Sequence, residues 1–291
     1  MSVFADRNTR ILIQGITGTQ AAFHVKRAME NGTQIIAGTS PNRGGTDHLG
    51  LPVYNNVKEA IAAAPIDASV LFVPARAVKS AAREAIESEI KLVVSIARGV
   101  PVHDMLEIKS MLSGSKTLMF GPNTPGIITP GEARLGLYPE DIHHKGCIGI
   151  VARDSTLSME AVLQTNLAGL GQSTVVGLGD DMIVGTDYCA VLDAFMADPE
   201  TKAILLIGKA DNVYEQIAAE YYKNLAHKKP IIAFIAGDSL PFGANMGYAV
   251  DIITHGFTTV HDKKSFMRAC GITVVDRINK IHEVLKSMNL E

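Results

Sequence analysis

Arg10-Ile11-Leu12-Ile13-Gln14-Gly15-Ile16-Thr17-Gly18-Thr19-Gln20 reads as a buried strand, a glycine turn and the first residue of a helix expected over residues 20–30. A short, continuous apolar run fits a strand covered on both faces. Glycines after it let the backbone approach a ligand, and the helix that follows offers N–H groups that have no acceptor within the helix. A strand that ends in such a turn at a helix N-terminus opens many α/β nucleotide-binding units. The spacing is not Gly-x-Gly-x-x-Gly, so the dinucleotide fingerprint is incomplete, and an ordinary glycine turn fits the spacing as well.

The same alternation extends outward from this stretch. Gln34-Ile35-Ile36-Ala37-Gly38 is the next strand, with further strands expected over 69–73, 92–96 and 118–121 and helices over 57–64, 78–88 and 101–111. Strand–helix alternation of this kind predicts an α/β fold with a parallel sheet covered on both faces. Gly121-Pro122-Asn123-Thr124-Pro125-Gly126 and Thr129-Pro130-Gly131-Glu132 then interrupt it and read as a connector. The pattern restarts with strands over 148–152, 174–178, 203–207 and 231–235 and helices over 156–167, 188–197 and 214–225. The expectation is two doubly wound domains, residues 1–130 and residues 131–291, joined near residues 130–145.

Composition agrees with that division. The 291 residues fit two domains, and 47% apolar residues are ample for two cores. A net charge of −3 gives no basic footprint for nucleic acid. Cys147, Cys189 and Cys270 are scattered, which argues against a disulfide framework and a structural zinc site. No apolar run reaches the ~18 residues of a membrane span, and the N-terminal stretch lacks a signal-peptide core. A cytoplasmic protein with no membrane or nucleic-acid partner is expected, although a processed organellar protein has the same features.

The end of the second strand narrows the ligand. An NAD site places an acid there to hold the ribose hydroxyls. This chain has Thr39-Ser40-Pro41-Asn42-Arg43-Gly44-Gly45, a base and no acid. Arg43 suits a phosphorylated ribose, as in CoA or NADP. An exposed arginine in a glycine loop is the plain alternative.

Gln14 to Gln20, Gly44-Gly45-Thr46, His48-Leu49-Gly50-Leu51-Pro52-Val53, Gly121-Pro122-Asn123, Ile128-Thr129-Pro130-Gly131-Glu132 and Gly171-Gln172-Ser173-Thr174 together resemble the succinyl-CoA synthetase (succinate–CoA ligase) α-subunit family, nearly from end to end. The resemblance implies an N-terminal Rossmann-like CoA-binding domain over 1–130 and a flavodoxin-like ligase domain over 131–291. It implies a β-type partner that grips the nucleotide, and an α-subunit histidine that carries phosphate to the acid before CoA attacks the acyl phosphate. Thr17, Gly18, Thr19 and Gln20 fall on the family's CoA loop, and Arg43 replaces a lysine with its charge kept. Ile96, Ala97 and Arg98 fall on a second CoA-contacting strip, where Arg98 replaces a glutamate. Thr124 stands where a cysteine is usual, so the pantetheine end departs from the family pattern.

The phosphate end departs further. The family's phosphohistidine lies in Met-Gly-His-Ala; here Met246-Gly247-Tyr248-Ala249 carries tyrosine, whose pKa near ~10 makes it a poor nucleophile at neutral pH. Lys209 replaces a supporting glutamate, Asp211 and Asn212 replace glycines, and Asp180 replaces another. Met159 replaces a tyrosine of the substrate site. Asp154-Ser155 replaces the Ser-Gly that opens a phosphate-receiving helix, and a carboxylate there is expected to cap the helix itself. His255 is a second candidate phosphate carrier, though a loop histidine is the plainer reading. His143-His144 reads as a surface turn. Asp187, Asp193 and Asp198 read as solvated positions.

The expected function is a CoA-binding α-type subunit of an acid–CoA ligase assembly without the phosphohistidine route, associated with a β-type chain or with itself and taking CoA or acyl-CoA. The alternative is an active acid–CoA ligase α subunit that relays phosphate through His255 or a partner's residue. An NADP-dependent oxidoreductase ranks last.

Overall fold

The structure, a computed structural model, describes residues 3–210, 212–238 and 260–290. It divides into two compact units. The first contains residues 3–141 together with Gly177–Thr186; the second contains Ile142–Val176 and residues from 187 onward.

The first unit contains strands β1 (Ile11–Gln14), β2 (Ile35–Thr39), β3 (Thr46–His48), β4 (Leu51–Tyr54), β5 (Ala68–Leu71), β6 (Leu92–Ser95) and β7 (Leu118–Phe120). Their order is β3-β4-β2-β1-β5-β6-β7. β1 lies parallel to both β2 and β5, so the strand order reverses at β1. Helices α1 (Thr19–Glu30), α2 (Val57–Ala63), α3 (Val78–Glu87) and α4 (Val102–Ser113) connect them. Val78, Ala82 and Ala85 of α3 and Met105 and Ile108 of α4 pack on Leu12, Leu71, Val93 and Met119 of the sheet. Full burial of a Leu, Val, Ile or Met side chain contributes about 1.5–3 kcal/mol, which is why these short apolar runs hold as strands. Gln14 is the polar exception within β1. Its amide nitrogen donates to Ser69 Oγ at 3.1 Å and to the Ala81 carbonyl at 3.0 Å, so its burial leaves that donor satisfied.

Two stretches differ from the sequence-based expectation. The sheet is not wholly parallel: β3 runs antiparallel to β4 through a two-residue turn at Leu49 and Gly50, both at positive φ. The stretch expected to be a connector contains two buried antiparallel strands, β8 (Gly126–Thr129) and β9 (Ala133–Gly136). Gly126 faces Gly136 there, and a Cβ on Gly126 would overlap the Leu135 carbonyl. These glycines permit close backbone approach within strands; they do not break structure.

The second unit contains β10 (Lys145–Ala152), β11 (Gln172–Gly177, its last residue in the first unit), β12 (Ala203–Lys209), β13 (Ile231–Ala236) and β14 (Thr273–Val275). Its helices are α5 (Ser155–Leu167), α6 (Tyr188–Ala197), α7 (Tyr214–Asn224), α8 (Val260–Ala269) and α9 (Ile281–Ser287). The strand order β14-β13-β12-β10-β11 is flavodoxin-like, with the reversal between β10 and β12. The pairs β10–β12, β12–β13 and β13–β14 are parallel. No described helix is long and apolar enough to cross a membrane.

Gly15 closes the turn after β1 at φ +84°, and an added Cβ would overlap the Phe72 carbonyl. Gly15→Ala therefore combines backbone strain with overpacking and is expected to cost about 2–4 kcal/mol. Urea unfolding followed by circular dichroism measures it.

Candidate functional sites at the two strand-order reversals

Parallel strands place the loops after their C-terminal ends along one edge of a sheet, and the reversal of strand order opens a crevice there. In the first unit that edge holds Thr17, Gly18, Thr19 and Gln20 after β1, Arg43 after β2, and Ile96, Ala97 and Arg98 after β6. Helix α1 begins at Gly18, whose extended backbone supplies no side chain to cap it, and its first turn carries no acid. Its N–H groups and the positive end of its dipole face the edge, a setting that favours an anion. Gly18, Thr19, Gln20, Arg43 and Arg98 are exposed there.

The loops around these residues are braced. Thr17 Oγ1 and Ser40 Oγ lie 2.9 Å apart. The Arg43 carbonyl accepts the Thr46 hydroxyl at 2.7 Å, which fixes the loop while the guanidinium stays exposed. The Ala97 carbonyl accepts the Asn123 N–H at 2.8 Å. Thr124 is 3% exposed, and its hydroxyl is engaged on both sides: it donates to the Gly177 carbonyl at 2.7 Å and accepts the Gly126 N–H at 2.9 Å.

Sequence reasoning missed several contributors to this edge. Phe72, after β5, backs the Gly15 turn and stacks on His24 of α1 at 6.0 Å between ring centroids. Arg134 Nη2 donates to His24 Nδ1 at 2.7 Å, and Arg134 Nη1 meets Glu140 Oε1 at 2.5 Å. Burial, then the Arg134 and Arg27 guanidiniums, push the His24 pKa down, which suits a neutral ring that accepts at Nδ1. Ser40, through the Thr17 hydroxyl, and Asp181, which accepts the Gly99 N–H at 3.0 Å, contribute as well.

In the second unit the crevice lies between the ends of β10 and β12. Asp154 is the N-cap of α5, and its Oδ1 accepts the Leu157 N–H at 2.7 Å. Met159 is half-buried on the first turns of the same helix. Arg153 lies with its guanidinium carbon 4.9 Å from the Tyr214 ring centroid. Lys209, 3% exposed, ends β12; its N–H donates to Glu215 Oε1 at 3.2 Å. Glu215 Oε2 in turn accepts Lys263 Nζ at 2.8 Å, with both side chains about fully buried at 0% and 1% exposure. Lys263 Nζ also donates to the Lys209 and Asn212 carbonyls, each at 2.6 Å. The buried pair thus ties α7, α8 and the end of β12 together, and no motif pointed to it. Asp211, Tyr248 and His255 lie outside the described residues.

Other sequence expectations shift here. His143 is buried at 6% exposure and is not part of a surface turn. Asp198 is likewise buried and accepts the Thr201 hydroxyl at 2.6 Å, while Asp187 caps α6 through the Ala190 N–H. Burial raises the thiol pKa of Cys147 and Cys270, and burial with Asp187 and Asp193 raises that of Cys189 to about 11, so none is prepared as a nucleophile. His103, Asp104 and Glu107 gather on α4, but Lys79 already pairs with Asp104 at 2.7 Å and Glu107 at 3.1 Å.

Residues 6–99 match the CoA binding domain family, and residues 151–273 match the CoA-ligase family. The chain is 42% identical over 285 residues to the succinate–CoA ligase (ADP-forming) subunit alpha of Staphylococcus epidermidis, covering 98% of this chain and 94% of that one. It is 43% identical over 274 residues to subunit alpha 2 of the same ligase from Archaeoglobus fulgidus, covering 94% and 95%. Among solved structures, an ATP citrate lyase of Methanosaeta concilii in complex with (3S)-citryl-CoA shares the fold, with a TM-score of 0.85 at 22% identity over 97% of this chain. This chain spans 50% of the length of that one.

Lys263→Met leaves the fully buried Glu215 carboxylate without its cation. Breaking such a pair from one side is expected to cost about 3–5 kcal/mol, and Lys263→Met with Glu215→Leu should recover part of that loss. Urea unfolding of the two variants measures both.

Proposed function

The chain belongs to the succinate–CoA ligase α-subunit family, and on that premise we propose that it is the CoA-binding subunit of an acid–CoA ligase-type assembly whose phosphohistidine route is closed. The first unit binds CoA; of the two phosphorylated-ribose ligands that suit Arg43, the family selects this one. Thr17, Gly18, Thr19 and Gln20 receive its phosphates at the open N-terminus of α1, with Arg43 supplying charge from the loop after β2. Ile96, Ala97 and Arg98 meet the rest of the ligand. Two positions depart from the family pattern, Thr124 toward the pantetheine end and Met159 at the substrate position.

The observation that carries the closed route is the Asp154 cap. Its carboxylate already bonds the α5 N-terminus, the place where a histidine-bound phosphate would be received. At ~4 Å and an effective dielectric of ~20, each pair of like unit charges costs about 4 kcal/mol. Tyr248 removes the imidazole nucleophile, and Lys209 replaces the carboxylate that would support it. The protein therefore works on CoA or a preformed acyl-CoA, docked through its second unit to a β-type chain or to another copy of itself.

Two outcomes are expected. Arg43→Glu weakens CoA by about 1–3 kcal/mol in titration calorimetry, the value of a lost charge-assisted hydrogen bond. Incubation with labelled nucleoside triphosphate and a β-type chain leaves no acid-labile phosphate on the wild type, and Tyr248→His alone does not restore it. Even ~3 kcal/mol of residual repulsion slows transfer more than a hundredfold. Labelling returns only when Tyr248→His is combined with Asp154→Ser, Ser155→Gly and Lys209→Glu. Label mapped to His255 of the wild type would establish the altered-relay ligase instead.

A further inference from the structure

The segment Gly177–Thr186 comes from the far half of the sequence but is part of the first unit. It is fastened to the turn after β7. Gly121 N–H donates to the Leu178 carbonyl at 3.0 Å, Asp180 N–H to the Asn123 carbonyl at 3.1 Å, and Gly185 N–H to the Gly121 carbonyl at 2.8 Å. From this base the Asp181 carboxylate reaches the strip after β6. Its Oδ2 accepts the Gly99 N–H at 3.0 Å and the Val100 N–H at 3.2 Å. The Asn123 N–H holds the Ala97 carbonyl from the other side at 2.8 Å. The backbone of Ile96-Ala97-Arg98 is thus fixed at its middle and just beyond its end, and the Asp181 bonds are charge-assisted.

The strand order shows which part of a ligand this strip meets. β6 lies two strands from β1, across β5, so about 10 Å away at ~4.8 Å per strand. β2, whose loop carries Arg43, lies on the opposite side of β1. A ligand whose phosphates rest between Arg43 and the α1 N-terminus therefore extends its other end toward β6. In CoA that end is the pantetheine arm. We propose that Asp181 is a positioning residue for the pantetheine arm of CoA, acting through the backbone of Ile96-Ala97-Arg98 without touching the ligand. The inference rests on the reading of the first unit as the CoA site.

The test is titration calorimetry of the full-length wild type, Asp181→Ala and Asp181→Asn with two probes: intact CoA, and adenosine 3′,5′-bisphosphate, which keeps the nucleotide end and lacks the arm. Asp181→Ala is expected to weaken CoA about tenfold or more and the bisphosphate by less than about twofold. Asp181→Asn keeps a carbonyl oxygen that accepts from both N–H groups, so its CoA affinity should fall between the other two. Equal losses on both probes would show a general structural role and overturn the proposal, as would an unchanged CoA affinity in Asp181→Ala. Should Asp181→Ala not fold, Asp181→Asn decides the matter: loss selective for CoA supports the proposal, and parity between the probes overturns it. A wild type that binds neither probe overturns the CoA reading itself, and the inference with it. A wild type that binds both leaves that reading standing whatever the variants do.

Discussion

The first N–H groups of a helix have no partners inside it, and their alignment gives that end about half a positive charge. Something must meet them, and in an α/β crevice that something is water, a ligand or the protein itself. The two units meet this constraint in opposite ways. α1, after the first strand of its sheet, starts at Gly18 with no side-chain cap and no acid in its first turn. α5, after the first strand of its own unit, starts at Asp154, whose carboxylate takes the Leu157 N–H. A capping side chain is worth ~1 kcal/mol relative to alanine but only a few tenths relative to glycine, so α1 forgoes little by starting at Gly18 and keeps its N–H groups available.

The residues around each helix start follow from that difference. Near α1 the polar contacts of the loops use backbone groups and short side chains: the Thr17 and Ser40 hydroxyls, the Arg43 carbonyl with the Thr46 hydroxyl, the Ala97 carbonyl with the Asn123 N–H. They fix the loops and leave Thr19, Gln20 and Arg43 exposed, which is the arrangement a charged ligand needs on arrival. Near α5 the crevice is built on buried charge. Gly208 lies against the Glu215 side chain so closely that a Cβ would overlap it, and Glu215 is paired with Lys263 beneath the end of β12. A buried pair is weak evidence for net stability, but its loss from one side is costly, so it sets the position of the β12–α7 connection.

How much of this was legible in the sequence depended on the kind of signal. Continuous apolar runs such as Ile11-Leu12-Ile13 announced the buried strands, and the glycine turn and Arg43 announced the edge where they end. Asp154 was legible as a cap because Asp-Ser before a helical pattern is a local signal. The hairpins β3–β4 and β8–β9 were not, because strands of three or four residues carry little periodicity and their glycines resemble breakers. Helix α8 was hidden for another reason: Lys263 and Lys264 are buried, which inverts the polar and apolar faces that a helical pattern relies on. The contact from Asp181 to Gly99 spans 82 residues, so no local pattern contains it.

The contacts around the two helix starts form separate sets. Every hydrogen bond described above that braces the loops carrying Thr17, Arg43 and Ile96 to Arg98 stays within the first unit, the Asp181 pair included. The Asp154 cap and the Glu215–Lys263 pair stay within the second. The hydrogen bond made at the start of α5 is none of those that brace the loops near α1. The two helix starts therefore differ in kind: α5 meets its own N–H groups with a carboxylate, whereas α1 keeps a glycine turn and no side-chain cap.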